Sequence, residues 1–193
     1  MKIVTLNYDD IPESPNDWGS WKLYSFQARH VSYRNPNDFF PEGKPTIGFR
    51  RKLDVGLAFV LSYGEHGTCR WFRQGTSYCD PWDTTRFAGI LVWENSPKDI
   101  GAKSYEDRAK DADSFLETYT NWCNGNVYGF DLDEEVVLPC GHTKRENYTS
   151  CYGFYDVESL AQEVAAIVRG DQVRFEGDAK YLSNYYDFVG VKP

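Results

Sequence analysis

The sequence predicts an α+β fold: a mainly antiparallel sheet with two principal helices, over about 104–123 and 157–169, packed on it. Two observations carry this. Strand-like runs come in a block before the first helical pattern, followed by more strands and a second helix, which is not the regular alternation of a doubly wound sheet. The 193 residues are 41% hydrophobic and 17% aromatic, enough to build a substantial core without disulfide or metal staples. That length suits a single domain spanning 1–193. Pro97-Lys98-Asp99-Ile100-Gly101 is the candidate hinge, placing any lobe boundary near 95–101.

The elements follow in order. Ile3 to Leu6 reads as a short strand, then a Pro/Asn/Asp-rich loop, then a second strand near Trp21 to Arg29. From Leu53 to Tyr63, Leu53, Val55, Leu57, Phe59, Leu61 and Tyr63 alternate, the period of a strand with one face against a core. Arg50-Arg51-Lys52 just before it reads as a solvated strand start or turn. Cys69 to Arg73 is another strand, and Phe87 to Trp93, apolar on both faces, belongs inside a sheet. Ser104 and Asp107 have capping-box spacing. Ala109, Ala112, Leu116 and Tyr119 then recur every three or four residues, widened by Phe115 and Trp122. Asn124-Gly125 supplies the stop. Val127 to Leu132, Val136 to Cys140 and Ser150 to Tyr155 read as three short strands. The second helix runs from Val157 to Arg169 between Asp156 and Gly170, burying Leu160, Val164, Ile167 and Val168. Val173 to Phe175 adds an edge strand.

Charge narrows the function. The chain carries 21 basic and 29 acidic side chains, a net charge of −8. Residues 1–100 balance at 12 and 12, while residues 101–193 carry 9 and 17. A basic nucleic-acid wrapper is excluded, because phosphate binding needs a positive surplus. The N-terminus has no stretch of signal-peptide length, and the longest apolar run, Leu57 to Leu61, is far too short to span a membrane. A cytoplasmic protein is expected, with its five cysteines as free, mostly buried thiols.

The candidate chemistry is sparse. His66 and Cys69, then Cys140 and His142, are loosely spaced and do not match a zinc knuckle. No nucleophile elbow, papain-like signature, phosphate loop or dinucleotide fingerprint occurs. No catalytic residue, metal or cofactor is therefore assigned. Asp131-Leu132-Asp133-Glu134-Glu135 places four carboxylates within five residues, in what reads as a polar turn between two strands, and Glu106, Asp107, Asp111, Asp113 and Glu117 acidify the first helix. Such a surface imitates nucleic-acid phosphates toward a Lys/Arg groove. Among the six tryptophans, Trp93 and Trp122 are expected in the core, with Trp18, Trp21 and Trp82 as interface candidates.

Several motifs also recur in a fixed order: Cys79-Asp80-Pro81-Trp82-Asp83-Thr84, Asn124-Gly125-Asn126-Val127-Tyr128-Gly129-Phe130 and Ser150-Cys151-Tyr152-Gly153-Phe154-Tyr155. They resemble the Cys-Pro-Trp-Asp-Ser, Thr-Gly-Asp-Val-Tyr-Gly-Tyr and Ser-Cys-Trp-Gly-Phe-Tyr elements of a family of small phage- and plasmid-borne accessory proteins with no established activity. The resemblance spans about 30–157, with Asp80 separating the Cys and Pro that the family keeps adjacent. It implies a mobile-element protein made inside a bacterial cell, and no catalytic residue carries over. The two aromatic–glycine motifs are expected to pair as neighbouring strands, each glycine leaving room for a facing ring.

The leading expectation is a stoichiometric inhibitor of a host defence complex, such as a CRISPR effector or a restriction enzyme. Its partner is a host protein with a basic nucleic-acid-binding groove, with no direct contact to nucleic acid or membrane. Asp131, Asp133, Glu134, Glu135, Trp82 and Asp83 are the expected contacts. The alternative is a small-molecule or nucleotide binder or enzyme acting on a host signalling nucleotide. Its pocket would be walled by Trp71 and Trp82, with Asp83, His66 or Arg70 as polar contacts. A virion or scaffold component is a third expectation.

Overall fold

The strands of the computed structural model, which describes residues 1–76, 82–184 and 188, separate into two four-stranded sheets, each with its own helical cover. The fold is α+β as expected and both principal helices are present; among the described residues the strands fall into two sheets and a third, shorter α-helix joins the two. The chain divides into two compact units, Met1–Glu13 with Gly125–Pro193, and Ser14–Asn124. The second is therefore an insertion into the first. The 95–101 segment lies inside the inserted unit, and the chain passes between units at 13/14 and 124/125.

The inserted unit contains β2 (Trp21–Ser25), α1 (Ile47–Asp54), β3 (Ala58–His66), β4 (Thr68–Arg73), β5 (Thr84–Trp93) and α2 (Tyr105–Cys123). Its sheet is fully antiparallel in the order β2-β5-β3-β4, so β5 is interior as its two apolar faces require. Helix α2 starts where Ser104 Oγ accepts the Asp107 N–H at 3.0 Å and donates to the Asp107 carboxylate at 2.8 Å. Its apolar stripe buries Ala109, Ala112, Phe115, Leu116 and Tyr119 against Trp21, Leu23, Phe59, Leu61, Trp71, Leu91 and Trp93. Each fully buried large side chain contributes about 1.5–3 kcal/mol. Trp21 is therefore a core residue, 2% exposed, its indole N–H held by Asp111 at 2.8 Å. The interface role expected of it does not hold.

The other face of the same sheet is covered too. Phe40, Phe49, Ala58, Ile90 and Val92 cluster there under α1 and the loop before it. The alternation over 53–63 therefore does not form one strand. Leu53 lies in the last turn of a helix that Thr46 caps by accepting the Phe49 N–H at 3.3 Å. The chain then turns at Gly56 (φ +71°), and β3 begins only at Ala58. Because both faces of β3 are covered, alternation is not its true pattern: Ala58, Phe59, Leu61 and Ser62 are all buried. Arg51 and Lys52 sit in the last turn of α1, where cations suit the helix dipole, and the Lys52 ammonium donates to the Trp93 carbonyl at 3.0 Å.

The other unit contains β1 (Lys2–Tyr8), β6 (Tyr128–Val137), β7 (Thr143–Phe154), α3 (Val157–Val168) and β8 (Val173–Glu176). The sheet order is β7-β6-β1-β8, with β1 and β8 parallel and the other pairs antiparallel. Asp156 caps α3 by accepting the Ser159 N–H at 2.7 Å. Leu160, Ala161, Val164 and Val168 then pack on Val4, Leu6, Tyr128, Phe130 and Leu132. The three short strands expected over 127–155 are two long ones, joined by a turn at 138–142 where Leu138 N–H reaches the His142 carbonyl at 2.8 Å. The acidic run Asp131–Glu135 is therefore the body of a strand, not a turn. The pairing of the aromatic–glycine motifs holds. Gly129 lies opposite Tyr152, whose ring fills the space a Cβ would take.

Candidate functional site

Strand β6 sorts its side chains by period two. Phe130 and Leu132 face the α3 core, while Asp131, Asp133 and Glu135 lie on the opposite face. Across from them β7 presents Ser150, Asn147 and Arg145, and β1 and β8 add Asn7, Arg174 and Glu176. Two irregularities in the β6–β7 pairing, at Tyr148 and Gly153, shift the register of β7 and bring 145, 147, 150 and 152 onto one face. Sequence reasoning missed these partners because the parity of β7 changes along its length.

The carboxylates on this face are not bare. Asp131 accepts from Ser150 Oγ at 2.6 Å, Tyr152 OH at 2.8 Å and Asn7 Nδ2 at 3.3 Å. Asp133 accepts from Asn147 Nδ2 at 3.1 Å. Arg174 reaches Glu135 at 3.3 Å and Glu176 at 2.8 Å, and Arg145 grips Glu176 through two nitrogens at 3.0 and 3.1 Å. The bidentate Arg145 contact, supported by Arg174, holds the Glu176 carboxyl below its usual range. Burial raises the Tyr152 phenol, and the Asp131 carboxylate adds to the effect. Glu134 points to the other side of the strand and is exposed. Lys2, its cross-strand neighbour, gives its ammonium to Asp171 at 2.7 Å.

The edge strand β7 is exposed over nearly its whole length. Tyr148 is 69% exposed, and Val136, Val137 and Leu138 project at the hairpin tip. Charge is segregated with the units. The residues of Met1–Glu13 and Gly125–Pro193 include seven basic and fifteen acidic side chains, whereas Ser14–Asn124 balances at fourteen each. The whole net charge of −8 belongs to the unit that carries this hairpin.

The other expected contacts lie in the inserted unit. Trp82 is 93% exposed, and Asp83 meets the exposed His66 ring at 2.9 Å. Trp71, 2% exposed, and Arg70 line a cleft along α2 and β4. Cys79, Asp80 and Pro81 lie outside the described residues. The thiols are less buried than expected, since Cys140 and Cys151 are exposed and Cys69 and Cys123 half-buried. Among the described residues, no group of three or more His, Cys, Asp or Glu is placed to hold a metal ion, and no helix is long and apolar enough to cross a membrane.

No family model, curated protein or solved structure matches the chain.

A groove of about 460 Å³ in the inserted unit is lined by Tyr24, Arg34, Phe39, Phe49, Lys52 and Glu94 among others. The Arg34 guanidinium sits over the Tyr24 ring at 5.6 Å, and the Tyr24 hydroxyl donates to Glu94. Burial and this bond raise the Tyr24 phenol to about 12, so it is a donor, not an anion, near neutral pH.

Proposed function

We propose that this chain is a mobile-element accessory protein that binds one host target stoichiometrically and blocks it. The target has a basic nucleic-acid-binding groove, as a CRISPR effector or restriction enzyme does. The observation that carries the reading is the segregation of charge. A unit of net charge −8 bears a long exposed hairpin, while the inserted unit is neutral. An anionic surface of this kind speeds encounter with a cationic groove, and its contribution fades as salt screens it. Tyr148 and the apolar hairpin tip supply the anchors that a charged surface lacks. The resemblance in the aromatic–glycine motifs supports a mobile-element origin.

Because Asp131, Asp133 and Glu135 are engaged within the sheet, Glu134 and Tyr148 are the better residues to test. A tagged chain is used to capture partners from bacterial cytoplasm at low and high salt, followed by mass spectrometry. The expected result is a near-stoichiometric, salt-sensitive complex with a nucleic-acid-handling protein, weakened at least about tenfold by Glu134→Lys with Tyr148→Ala. Unchanged capture and unchanged salt dependence in that variant would overturn the hairpin as the docking surface.

A second reading rests on the groove at Tyr24. Its volume lies within the roughly 300–1,000 Å³ of small-ligand sites, and it combines aromatic walls with a few polar groups. A nucleotide-like ligand is the class that Arg34, Lys52 and the rings would suit. Recovery of the tagged chain with no protein partner would favour this reading.

A further inference from the structure

The C-terminal end of α2 is fastened to the outer edge of β4 by one side chain. The Asn124 carboxamide accepts the Cys69 backbone N–H at 2.8 Å and donates to the Cys69 carbonyl at 2.9 Å. One turn earlier, Thr120 Oγ1 accepts the Trp71 backbone N–H at 3.0 Å. This clamp holds residue 69 beside residue 123, close enough for each thiol to act on the ionisation of the other. The sulfurs differ in access. Cys69 lines a cleft of about 590 Å³ that runs along α2 and β4, shared with Thr68, Arg70, Asn121 and Asn124. Cys123 does not line this cleft and packs against the core of the inserted unit.

We infer that Cys69 and Cys123 form a redox-active dithiol that reacts with low-molecular-weight disulfides and closes into an intramolecular disulfide. Cys69, reached from the cleft, is the attacking thiol. Its thiolate forms a bond to one sulfur of the small disulfide as the S–S bond of that molecule breaks, and the first small thiol leaves with a proton from solvent. Cys123 then loses its proton and attacks the Cys69 sulfur of the mixed disulfide, expelling the second small thiol. Two electrons pass from the protein to the small disulfide, which becomes two thiols, and the protein gains one S–S bond.

The asymmetry of the pair supports this order. The neighbouring Cys123 thiol holds the Cys69 thiol below its usual range, and Cys69 together with burial pushes Cys123 far up. The thiolate is the reactive form, so the thiol that ionises more easily attacks first. Trp71 fits the same arrangement. Among the described residues its indole N–H has no hydrogen-bond acceptor, and it lies where it favours the ionised form of Cys123, which the second step requires.

The test uses the full chain with Cys79, Cys140 and Cys151 replaced by Ser, treated with oxidised glutathione near neutral pH. Peptide mass spectrometry without reductant is expected to find residues 69 and 123 joined, with two hydrogens lost and no stable adduct. Adding Cys123→Ser should trap glutathione on Cys69. Adding Cys69→Ser should slow adduct formation at residue 123 by at least about tenfold. Circular dichroism confirms that each variant is folded. Persistence of both thiols in the free state, or equal adduct formation at 69 and 123 in the single variants, would overturn the proposal.

Discussion

At the scale of single residues, Gly129 explains why a glycine stands near the start of a strand. It faces Tyr152, and a methyl group there would fall inside the ring. The ring cannot simply swing away, because its hydroxyl bonds Asp131 at 2.8 Å. Gly129→Ala is therefore expected to destabilise the protein by about 1–3 kcal/mol through overpacking. In chemical denaturation the combination with Tyr152→Ala should cost less than the two single changes added together, since the clash then has no ring to meet. Strict additivity would show that the ring does not occupy this space. The pairing of these two residues was legible because each lies in an aromatic–glycine motif with the alternation of a strand. The partners of the carboxylates were not, because the irregularities at Tyr148 and Gly153 change which residues of β7 share a face. Trp21 shows the same limit: nothing in its local sequence marks that Asp111, 90 positions away, satisfies its indole N–H.

At the scale of elements, β4 illustrates how an exposed sheet edge is managed. An edge strand presents unpaired amides and carbonyls that invite association with other chains. Here α2 lies along that edge and takes the place of a neighbouring strand. Asn124 and Thr120 satisfy backbone groups of Cys69 and Trp71, and Asp113 holds Arg73 through two contacts of 2.6 Å. Asn124→Ala removes both bonds to Cys69 and is expected to cost about 1–3 kcal/mol. Hydrogen exchange should report faster amide exchange at Cys69, while amides of the interior strand β5 keep their relative protection. Exchange at Cys69 unchanged from the parent would mean that the clamp is not what protects this edge. The helices with cap residues and an apolar stripe, α2 and α3, were readable within a residue or two. Helix α1 was not, because its eight residues bury only Phe49 and its tail runs into an apolar series that imitates a strand.

At the scale of the whole molecule, the division into units has a direct consequence for stability. Among the described residues, both hydrophobic clusters of the inserted unit draw their members from Ser14–Asn124. A chain of residues 14–124 is therefore expected to fold by itself, with a cooperative denaturant transition and helical and sheet signals in circular dichroism. A fragment without a cooperative transition would show that its core depends on the rest of the chain. The α+β class was visible in the order of the runs, but the partition was not. Nothing local in the sequence tells that β1, the first strand, belongs with strands that begin only at Tyr128. That information lies in long-range pairing, such as Val4 with Leu132 and Leu6 with Phe130.

The pairing of β1 with β6 also sets an order of events during synthesis. Asn7 and Asp131, bonded in the finished sheet, are 124 positions apart. As the chain leaves the ribosome, β1 emerges ahead of its partner β6, and Ile3, Val4 and Leu6 wait for that partner until all of Ser14–Asn124 has followed. Closing that loop while the insert is still unfolded carries the entropy of a long wandering chain. Once the insert has folded on its own core, the loop is a compact body and the search narrows. A strand made before the insert is thus seated after it. Until then its apolar residues are the part of the nascent chain most in need of shelter from other chains.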